Sequence, residues 1–288
     1  MRDKYSEQQF GAMRTAFLTA FPKIFTDIDF ASPIFSAMKD LAMQKGFTFL
    51  PNHFSNEMSV EIEARHKALN SALDRFVSEN DLVIEIAAGL SPRHLQYQNL
   101  NYLELDFKPI MDIKREIYQS LGQKNLVDSL NNVDVTNTEE LHNFLTKVLK
   151  NKNYHQIIIL NEGLFWYLSK SEIAKITNEF SAMSGFDWMW ITSDCPVTDQ
   201  VAYDYRNTIS DSAKAKRGTF EDYEDFSNFF QNLGLSNQKY NLKDFVKYQD
   251  LSSAKFFALD ENQTRQRIDT YTNIAILKPM VTPHSTTV

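Results

Sequence analysis

Residues 82–95 have the sequence LVIEIAAGLSPRHL. The segment begins with a β-branched apolar run, which is typical of a buried parallel strand, and ends in small residues, a proline and two basic side chains. A turn that binds a pyrophosphate normally has the pattern G-x-G-x-x-G, because glycines let the backbone approach the phosphates. Here Gly89 is the single glycine of the segment, and Ala87 and Ala88 stand where further glycines would be expected. The segment therefore predicts a buried strand followed by a ligand-binding turn that is poorly suited to phosphate.

The chain on both sides of this segment alternates between predicted helices and strands. The helical pattern before it, MSVEIEARHKALNSALDRFV, places Arg65 and His66 on the apolar face, and KPIMDIKREIYQSL after it is amphipathic. Further strands are predicted in NYLELDF, NLVDSLNNVDVTN, YHQIIIL and FDWMWITSD. Such alternation predicts an α/β fold with a mostly parallel sheet covered on both faces. Two late strands, NQKYNL and TNIAILKP, predict an antiparallel edge.

We interpret residues 1–288 as a single domain with four parts. Residues 1–56 form a helical N-terminal cap, 57–194 the ligand-binding core, 195–233 an insertion or lid after the fifth strand, and 234–288 the final strands and helix. Phenylalanines recur in the insertion from Phe220 to Phe230 at helical spacing. They favour core packing, and a pocket wall is the alternative.

Composition limits the classes of partner. The chain has 288 residues, 43% of them hydrophobic, and a formal net charge of −7, which disfavours nucleic acid as the main partner. The single cysteine, Cys195, excludes an internal disulfide and a cysteine-cluster metal site. The N-terminus is polar and no apolar run approaches the length of a membrane span. These features predict a soluble, cytoplasmic protein with no membrane partner, and they leave the oligomeric state open.

Four successive predicted strands end in an acid: Glu85, Asp106, Asp134 and Glu162. In an open parallel sheet, ligands bind beyond the carboxyl ends of the strands. Acids bind hydroxyls, amino groups and cations, and Asp106 lies about 20 residues beyond the first turn, the spacing expected of an acid that binds ribose hydroxyls. The predicted ligand has a ribose, a base and a charged amino group but no phosphate. S-adenosylmethionine fits this description.

Four motifs in order, VIEIAAGLSPR, YLELDFKPIMDIKRE, NNVDVTN and LNEGLFWYLSKSEI, resemble the leucine carboxyl methyltransferase family. This family is a branch of the class I S-adenosylmethionine-dependent methyltransferases that also includes bacterial small-molecule O-methyltransferases. The similarity runs from residue 62 to residue 177, and residues 251–279 show a weaker similarity. It implies a Rossmann-like sheet and methyl transfer from S-adenosylmethionine to an oxygen, a carboxylate or hydroxyl of a small-molecule acceptor.

The resemblance also implies roles at the methionine end of the cofactor. Arg65 would hold the methionine carboxylate, with a structural ion pair as the alternative. The turn at Ala87 and Gly89 would contact the methionine and ribose, and Glu162 would lie near the methionine amino group. Glu85, at the end of the first strand, is a further cofactor candidate or a helix cap.

At the nucleoside end, Asp106 would bind the ribose hydroxyls, or act as an ordinary acid at a helix N-terminus. Asp134 would accept a hydrogen bond from the adenine amino group, with Val135 beside the ring; an ordinary polar loop is the alternative. The sequence departs from the family pattern in two places. Ala87 replaces the usual first glycine, and Ser91-Pro92-Arg93 replaces a common Asp-Thr-Arg.

The acceptor site is less constrained by the sequence. Tyr167 is a candidate wall of the methyl site or a core residue. Tyr203 and Arg206, in VAYDYRN, could hold an anionic acceptor through paired hydrogen bonds and stacking, or lie on a solvated loop. No metal ligand and no general base are predicted.

Four functions compete at this point. They are a small-molecule O-methyltransferase, a protein carboxyl methyltransferase, a non-catalytic protein that binds the cofactor or a partner, and a nicotinamide oxidoreductase, which the missing glycines disfavour.

Overall fold

A computed structural model describes residues 15–44, 55–150, 154–183, 185–196, 220–271 and 273–280. Within these residues the chain forms a seven-stranded sheet with the order β3-β2-β1-β4-β5-β7-β6. The strands are β1 (Leu82–Ile86), β2 (Asn101–Asp106), β3 (Leu130–Asn132), β4 (Gln156–Asn161), β5 (Asp187–Cys195), β6 (Leu235–Asn241) and β7 (Asn273–Pro279).

Strands β1 to β5 are parallel, and β7 is antiparallel to both β5 and β6. The mostly parallel Rossmann-like sheet with an antiparallel pair at its edge is confirmed. Strand β1 lies between β2 and β4, so the chain reverses its direction of travel across the sheet there. Such a reversal opens a crevice at the carboxyl ends of β1 and β4, which is where ligands bind in folds of this kind.

Helices cover the sheet. They are α1 (Ala31–Gln44), α2 (Asn56–Phe76), α3 (Arg93–Gln96), α4 (Lys108–Ser120), α5 (Thr138–Leu149), α6 (Lys170–Ser181), α7 (Tyr223–Asn232), α8 (Ser252–Phe256) and α9 (Glu261–Tyr271). Short 3-10 helices include Pro22–Phe25 and Phe165–Tyr167. Ser169 and Glu172 form a capping box at the start of α6.

The two faces of the sheet have different partners. Leu82, Ile84 and Ile86 of β1 pack in a cluster that also contains Phe226 and Phe230 of α7. Phe220, Phe226 and Phe230 of the predicted insertion are thus core residues. Val83 faces the opposite side and packs in a cluster with Ala64, Ala68 and other residues of α2. Glu85 lies two residues after Val83 and therefore points to the same side, toward α2, where Arg65 and His66 are also buried.

The described part of the N-terminal segment covers the turn after β1. Residues 15–20 are helical, and Ala16, Phe17 and Ala20 pack in a cluster with Ala88 and Leu90. The Cβ of Ala16 would lie 3.8 Å from a Cβ placed on Gly89. The helical cap therefore contributes to the same crevice as the strand ends. Among the described helices, none combines the length and the apolar character that crossing a membrane requires.

The turn itself is strained. Ala87 has φ +52° and Gly89 has φ +52°, both in the left-handed region. This conformation costs an L-residue with a Cβ roughly 1–2 kcal/mol of conformational energy, whereas glycine adopts it without that cost. The alanine that replaces the expected glycine thus keeps the glycine conformation.

We expect the Ala87→Gly variant to be more stable than wild type by roughly 0.5–1 kcal/mol, since relief of the left-handed strain exceeds the entropy lost by glycine. Urea denaturation measures this change in the free energy of unfolding. Ala88→Gly is the matched control, because Ala88 is buried without a positive φ. The control should be less stable than wild type. A loss of stability in both variants would show that Ala87 is not strained in its left-handed conformation.

Candidate cofactor site

A fully buried arginine organises the crevice. Arg93, at the start of α3, is 0% exposed, and its guanidinium uses all five N–H donors. Its Nε donates to Asn70 Oδ1 at 2.8 Å. Nη1 donates to Glu85 Oε1 and to Ser91 Oγ. Nη2 donates to Glu162 Oε2 at 3.1 Å and contacts His66 Nδ1 at 3.1 Å.

Arg93 therefore joins the ends of β1 and β4 to α2. Sequence reasoning noted Arg93 only as part of a departure from the family pattern and assigned it no role. Its signal was present, because the arginine is the one position of Ser91-Pro92-Arg93 that agrees with the family's Asp-Thr-Arg.

Glu162 is the second centre of the site. Its Oε1 accepts a hydrogen bond from Arg65 Nε at 3.1 Å, while Oε2 accepts from Arg93. Burial alone would raise the pKa of Glu162, but the positive charges of Lys23 and the two arginines hold it well below its usual range. Glu162 is therefore a carboxylate at any physiological pH. The structure thus brings Arg65 and Glu162, each predicted separately from the sequence, into direct contact, and this contact is an ion pair of the kind that stood as the alternative role for Arg65.

Lys23 was missed by the sequence reasoning. It lies in the 3-10 helix Pro22–Phe25, is 5% exposed, and has Glu162, Arg93 and Arg65 as charged neighbours. Burial lowers the pKa of Lys23 to about 8, although the nearby Glu162 raises it. In the described part of the chain, the Lys23 ammonium forms no hydrogen bond or salt bridge. A lysine in FPKIF gives no sequence signal, since only the folding of the N-terminal segment onto the strand ends brings it here.

Glu85 lies beneath the turn and both its oxygens are engaged. Oε1 pairs with Arg93, and Oε2 accepts a hydrogen bond from the Tyr102 hydroxyl at 2.7 Å. Glu85 is 1% exposed. The geometry favours a role in holding Arg93 over direct contact with a ligand.

Asp106 ends β2 beside the turn. Its Oδ2 accepts from the Gly89 backbone N–H at 2.7 Å, and its Oδ1 accepts from the Phe107 N–H at 2.7 Å. Burial raises the pKa of Asp106 to about 6, and these two backbone donors oppose the rise. Each carboxylate oxygen keeps a further lone pair, so the group is able to accept two hydroxyl donors.

Of the remaining residues predicted from the sequence, the structure describes Asp134, Val135 and Tyr167. Asp134 Oδ1 accepts from the Thr136 N–H and hydroxyl at 2.9 and 2.6 Å, which fixes the loop after β3, and Val135 beside it is buried. Tyr167 is half-buried in the 3-10 helix that follows Glu162, and its hydroxyl hydrogen-bonds with the Thr15 side chain. Tyr203 and Arg206 lie outside the described residues. The described residues contain no cluster of three or more metal-ligating side chains.

His66 is not available as a general base. It is fully buried, its Nδ1 contacts Arg93, and its Nε2 contacts Gln96 Oε1 at 3.1 Å. Because guanidinium only donates, Nδ1 is the acceptor and Nε2 carries the proton. Burial, followed by the charges of Arg93 and Lys23, lowers the pKa of His66 well below its usual value. Its role is to hold Arg93.

The comparisons with known proteins define the class. The model of the leucine carboxyl methyltransferase family matches residues 13–181, which is more than half of the chain. The chain belongs to this family, and it is an S-adenosylmethionine-dependent methyltransferase. A sequence search among curated proteins finds no match.

Similar solved structures share the general architecture only. One is a SAM-dependent methyltransferase from Anabaena variabilis ATCC 29413, with 13% identity, 88% of this chain and 96% of that chain covered, and a TM-score of 0.48. Another is the magnesium protoporphyrin IX methyltransferase of Synechocystis PCC 6803 with bound SAH, with 11% identity, 85% and 99% covered, and a TM-score of 0.45. At these values we draw no conclusion about substrate from either protein.

The Arg93 network should dominate the stability of the site. Arg93→Met removes the buried cation that pairs with both Glu85 and Glu162, so we expect the free energy of unfolding to fall by roughly 3–5 kcal/mol. Arg265→Met is the matched control, because Arg265 is exposed and pairs with Glu261 across one turn of α9. The control should change stability by less than about 1 kcal/mol in the same denaturation experiment. Equal losses in the free energy of unfolding of the two variants would show that the Arg93 network does not stabilise the fold more than an exposed ion pair does.

Proposed function

We propose that this protein is an S-adenosylmethionine-dependent O-methyltransferase that acts on a carboxylate or hydroxyl of a small molecule. The observation that carries the proposal is the buried Lys23 ammonium, which has no hydrogen-bond partner among the described residues, beside Arg65 and Glu162. A largely buried ammonium whose N–H donors meet no acceptor is costly even with Glu162 nearby, so an anionic group of a ligand would complete this site. The methionine carboxylate is such a group.

The rest of the described site fits the same cofactor. Glu162 would face the methionine amino group, the strained turn at Ala87 and Gly89 would follow the methionine and ribose, and Asp106 would accept from the ribose hydroxyls. Asp134 and the buried Val135 would lie at the adenine. Glu85 would contribute through Arg93, since its own oxygens are engaged. These assignments follow the strand ends in order, and each offers the group that the neighbouring part of the cofactor needs.

An acceptor oxygen that is already ionised suits the site. When bound, S-adenosylmethionine supplies a methyl group that its sulfonium has already activated. The protein must align the acceptor with the methyl–sulfur bond and exclude water. Of the described groups near Glu162, His66 is engaged, burial raises the pKa of the Tyr167 hydroxyl, and Lys23 is assigned to the methionine carboxylate, so none is left as a general base. A carboxylate acceptor needs no base, which favours it over a hydroxyl.

For the acceptor itself we propose contacts from Tyr167, Tyr203 and Arg206. Tyr167 supports this by its position, because it is half-buried in the 3-10 helix that follows Glu162 and is tied to the N-terminal segment through Thr15. A cationic Arg206 in the predicted insertion would suit an anionic acceptor.

The experiment incubates the protein with S-adenosylmethionine and a panel of small carboxylic acids, phenols and a peptide with a free carboxyl terminus. Mass spectrometry follows S-adenosylhomocysteine and the methylated product, and mild alkali separates labile methyl esters from stable ethers. Turnover of a small acid or phenol is the expected result. Methylation of the peptide alone would make this a protein carboxyl methyltransferase, and binding without any turnover would make it a non-catalytic protein.

Asp106→Ala should weaken S-adenosylhomocysteine binding about ten- to a hundred-fold. The physical reason is the loss of two hydrogen bonds from ribose hydroxyls to a charged acceptor, worth roughly 1.5–3 kcal/mol. Isothermal titration calorimetry measures the affinity. Asp112→Ala, an exposed acid on α4, is the control that should leave the affinity unchanged. Unchanged affinity in Asp106→Ala would place the ribose elsewhere.

The affinity for S-adenosylhomocysteine should be greatest between about pH 6 and pH 8. Below about pH 6 the free Asp106 carboxyl is protonated, so binding must release a proton; above about pH 8 the free Lys23 is neutral, so binding must take one up. Asp106→Asn should abolish the fall in affinity below about pH 6, and Lys23→Met should abolish the fall in affinity above about pH 8. Calorimetry of all three proteins isolates these groups, because ionisation of the ligand is common to them. A profile that neither substitution alters would exclude both assignments.

A further inference from the structure

A buried carboxylate at the end of β5 holds the loop that carries Glu162. Asp194 is 5% exposed and accepts four hydrogen bonds. Its Oδ1 accepts from the Gly163 N–H at 2.6 Å. Its Oδ2 accepts from Asn161 Nδ2 at 2.5 Å and from the N–H groups of Leu164 and Phe165 at 2.7 and 2.9 Å. No sequence motif singles out Asp194.

Asp194, a residue of β5, thus caps the N-terminus of the 3-10 helix that follows β4. The 3-10 helix Phe165–Tyr167 has Leu164 at its N-cap, and Leu164 supplies no side-chain acceptor. The first N–H groups of a helix need acceptors, and a carboxylate is a strong one. Burial raises the pKa of Asp194, while the backbone donors of Phe165, Gly163 and Leu164 oppose the rise.

The same bonds fix the residues between β4 and this helix. Asn161 is held a second time, because its Oδ1 accepts from Trp190 Nε1 at 2.6 Å. Gly163 has φ +79°, which lets the chain turn back toward Asp194. Glu162 lies between these two fixed residues, so its carboxylate is directed toward Arg65 and Arg93.

We infer that Asp194 is a positioning residue for methyl transfer, which sets the direction of Glu162 and of the following Tyr167 at the methionine end of the cofactor. This inference rests on the proposed function for its ligand. Asp194 does not touch the cofactor in this arrangement; it acts through the Asn161 side chain and the backbone of residues 163–165. A merely structural role would lower stability and leave the affinity of the folded protein for ligand unchanged.

The first test is Asp194→Asn, which keeps the shape of the side chain but presents an NH2 group to a backbone N–H. We expect S-adenosylhomocysteine affinity to fall about tenfold by calorimetry at a temperature where the variant is folded. Asp222→Asn is the matched control, because Asp222 caps α7 in the same way through the Asp225 N–H, outside the site. The control should keep wild-type affinity. Unchanged affinity in Asp194→Asn overturns the inference.

A second pair of variants covers the case in which Asp194→Asn does not fold. Gly163→Ala and Gly185→Ala each place a Cβ at a left-handed position, φ +79° and +84°, with nothing within 4 Å. Both carry the same backbone strain, but Gly163 lies in the Asp194-held loop and Gly185 lies between α6 and β5. Only Gly163→Ala should weaken S-adenosylhomocysteine binding. Equal affinities overturn the inference.

A double-mutant cycle separates this inference from the proposed function. Asp194→Asn, Glu162→Gln and the double variant are compared by urea denaturation without ligand. If Asp194 acts through Glu162, the loss of stability from Asp194→Asn is smaller in the Glu162→Gln background. Additive losses overturn the inference even if the ligand binds. Failure of wild type to bind S-adenosylhomocysteine, with coupling intact, overturns the proposed function and leaves the link between Asp194 and Glu162 standing.

Discussion

The site depends on one buried guanidinium. Arg93 is surrounded by protein on all sides, and each of its five donors meets an acceptor, two of them carboxylates. A buried charge is tolerated only when it is paired and fully hydrogen-bonded. Because the acceptors come from α2, β1 and the loop after β4, satisfying Arg93 requires these three elements to meet in one arrangement. The crevice of the parallel sheet thereby acquires a fixed shape before any ligand arrives.

Buried polar contacts continue from this centre under the neighbouring strand. Tyr102 donates to Glu85 and stacks on the His94 ring, which contacts Glu104, and Glu104 in turn pairs with Lys114 of α4. Each group has a partner, so the network stabilises one packing of β1, β2 and α4 in preference to others. At the rim of this network, Lys23 and Asp106 have pKa values moved by burial to about 8 and about 6. Both groups keep capacity for a ligand, unlike Arg93 and Glu85, whose donors and acceptors are engaged.

The turn after β1 shows how the chain accommodates a cofactor without phosphate. Ala87 adopts the left-handed conformation that glycine would adopt freely, and the Ala88 N–H bonds the Leu105 carbonyl of β2. A methyl group at this position limits the approach of the backbone to a ligand, which matters for a pyrophosphate and less for a ribose or an amino acid. Asp106 is tied to the same turn through Gly89. The turn therefore fixes the position of Asp106, the candidate ligand of the ribose.

The sequence by itself determined the order of helices and strands, the acids at four strand ends and the family, because periodicity and motif spacing are local properties of the chain. It also indicated that Arg65 lies on a buried helix face. Only the tertiary structure decided which of these residues meet. Lys23 and Asp194 reach the site from segments about 140 and 30 residues away from Glu162, and Glu85 is turned inward to Arg93, since the pairing of buried charges is settled when distant segments pack together.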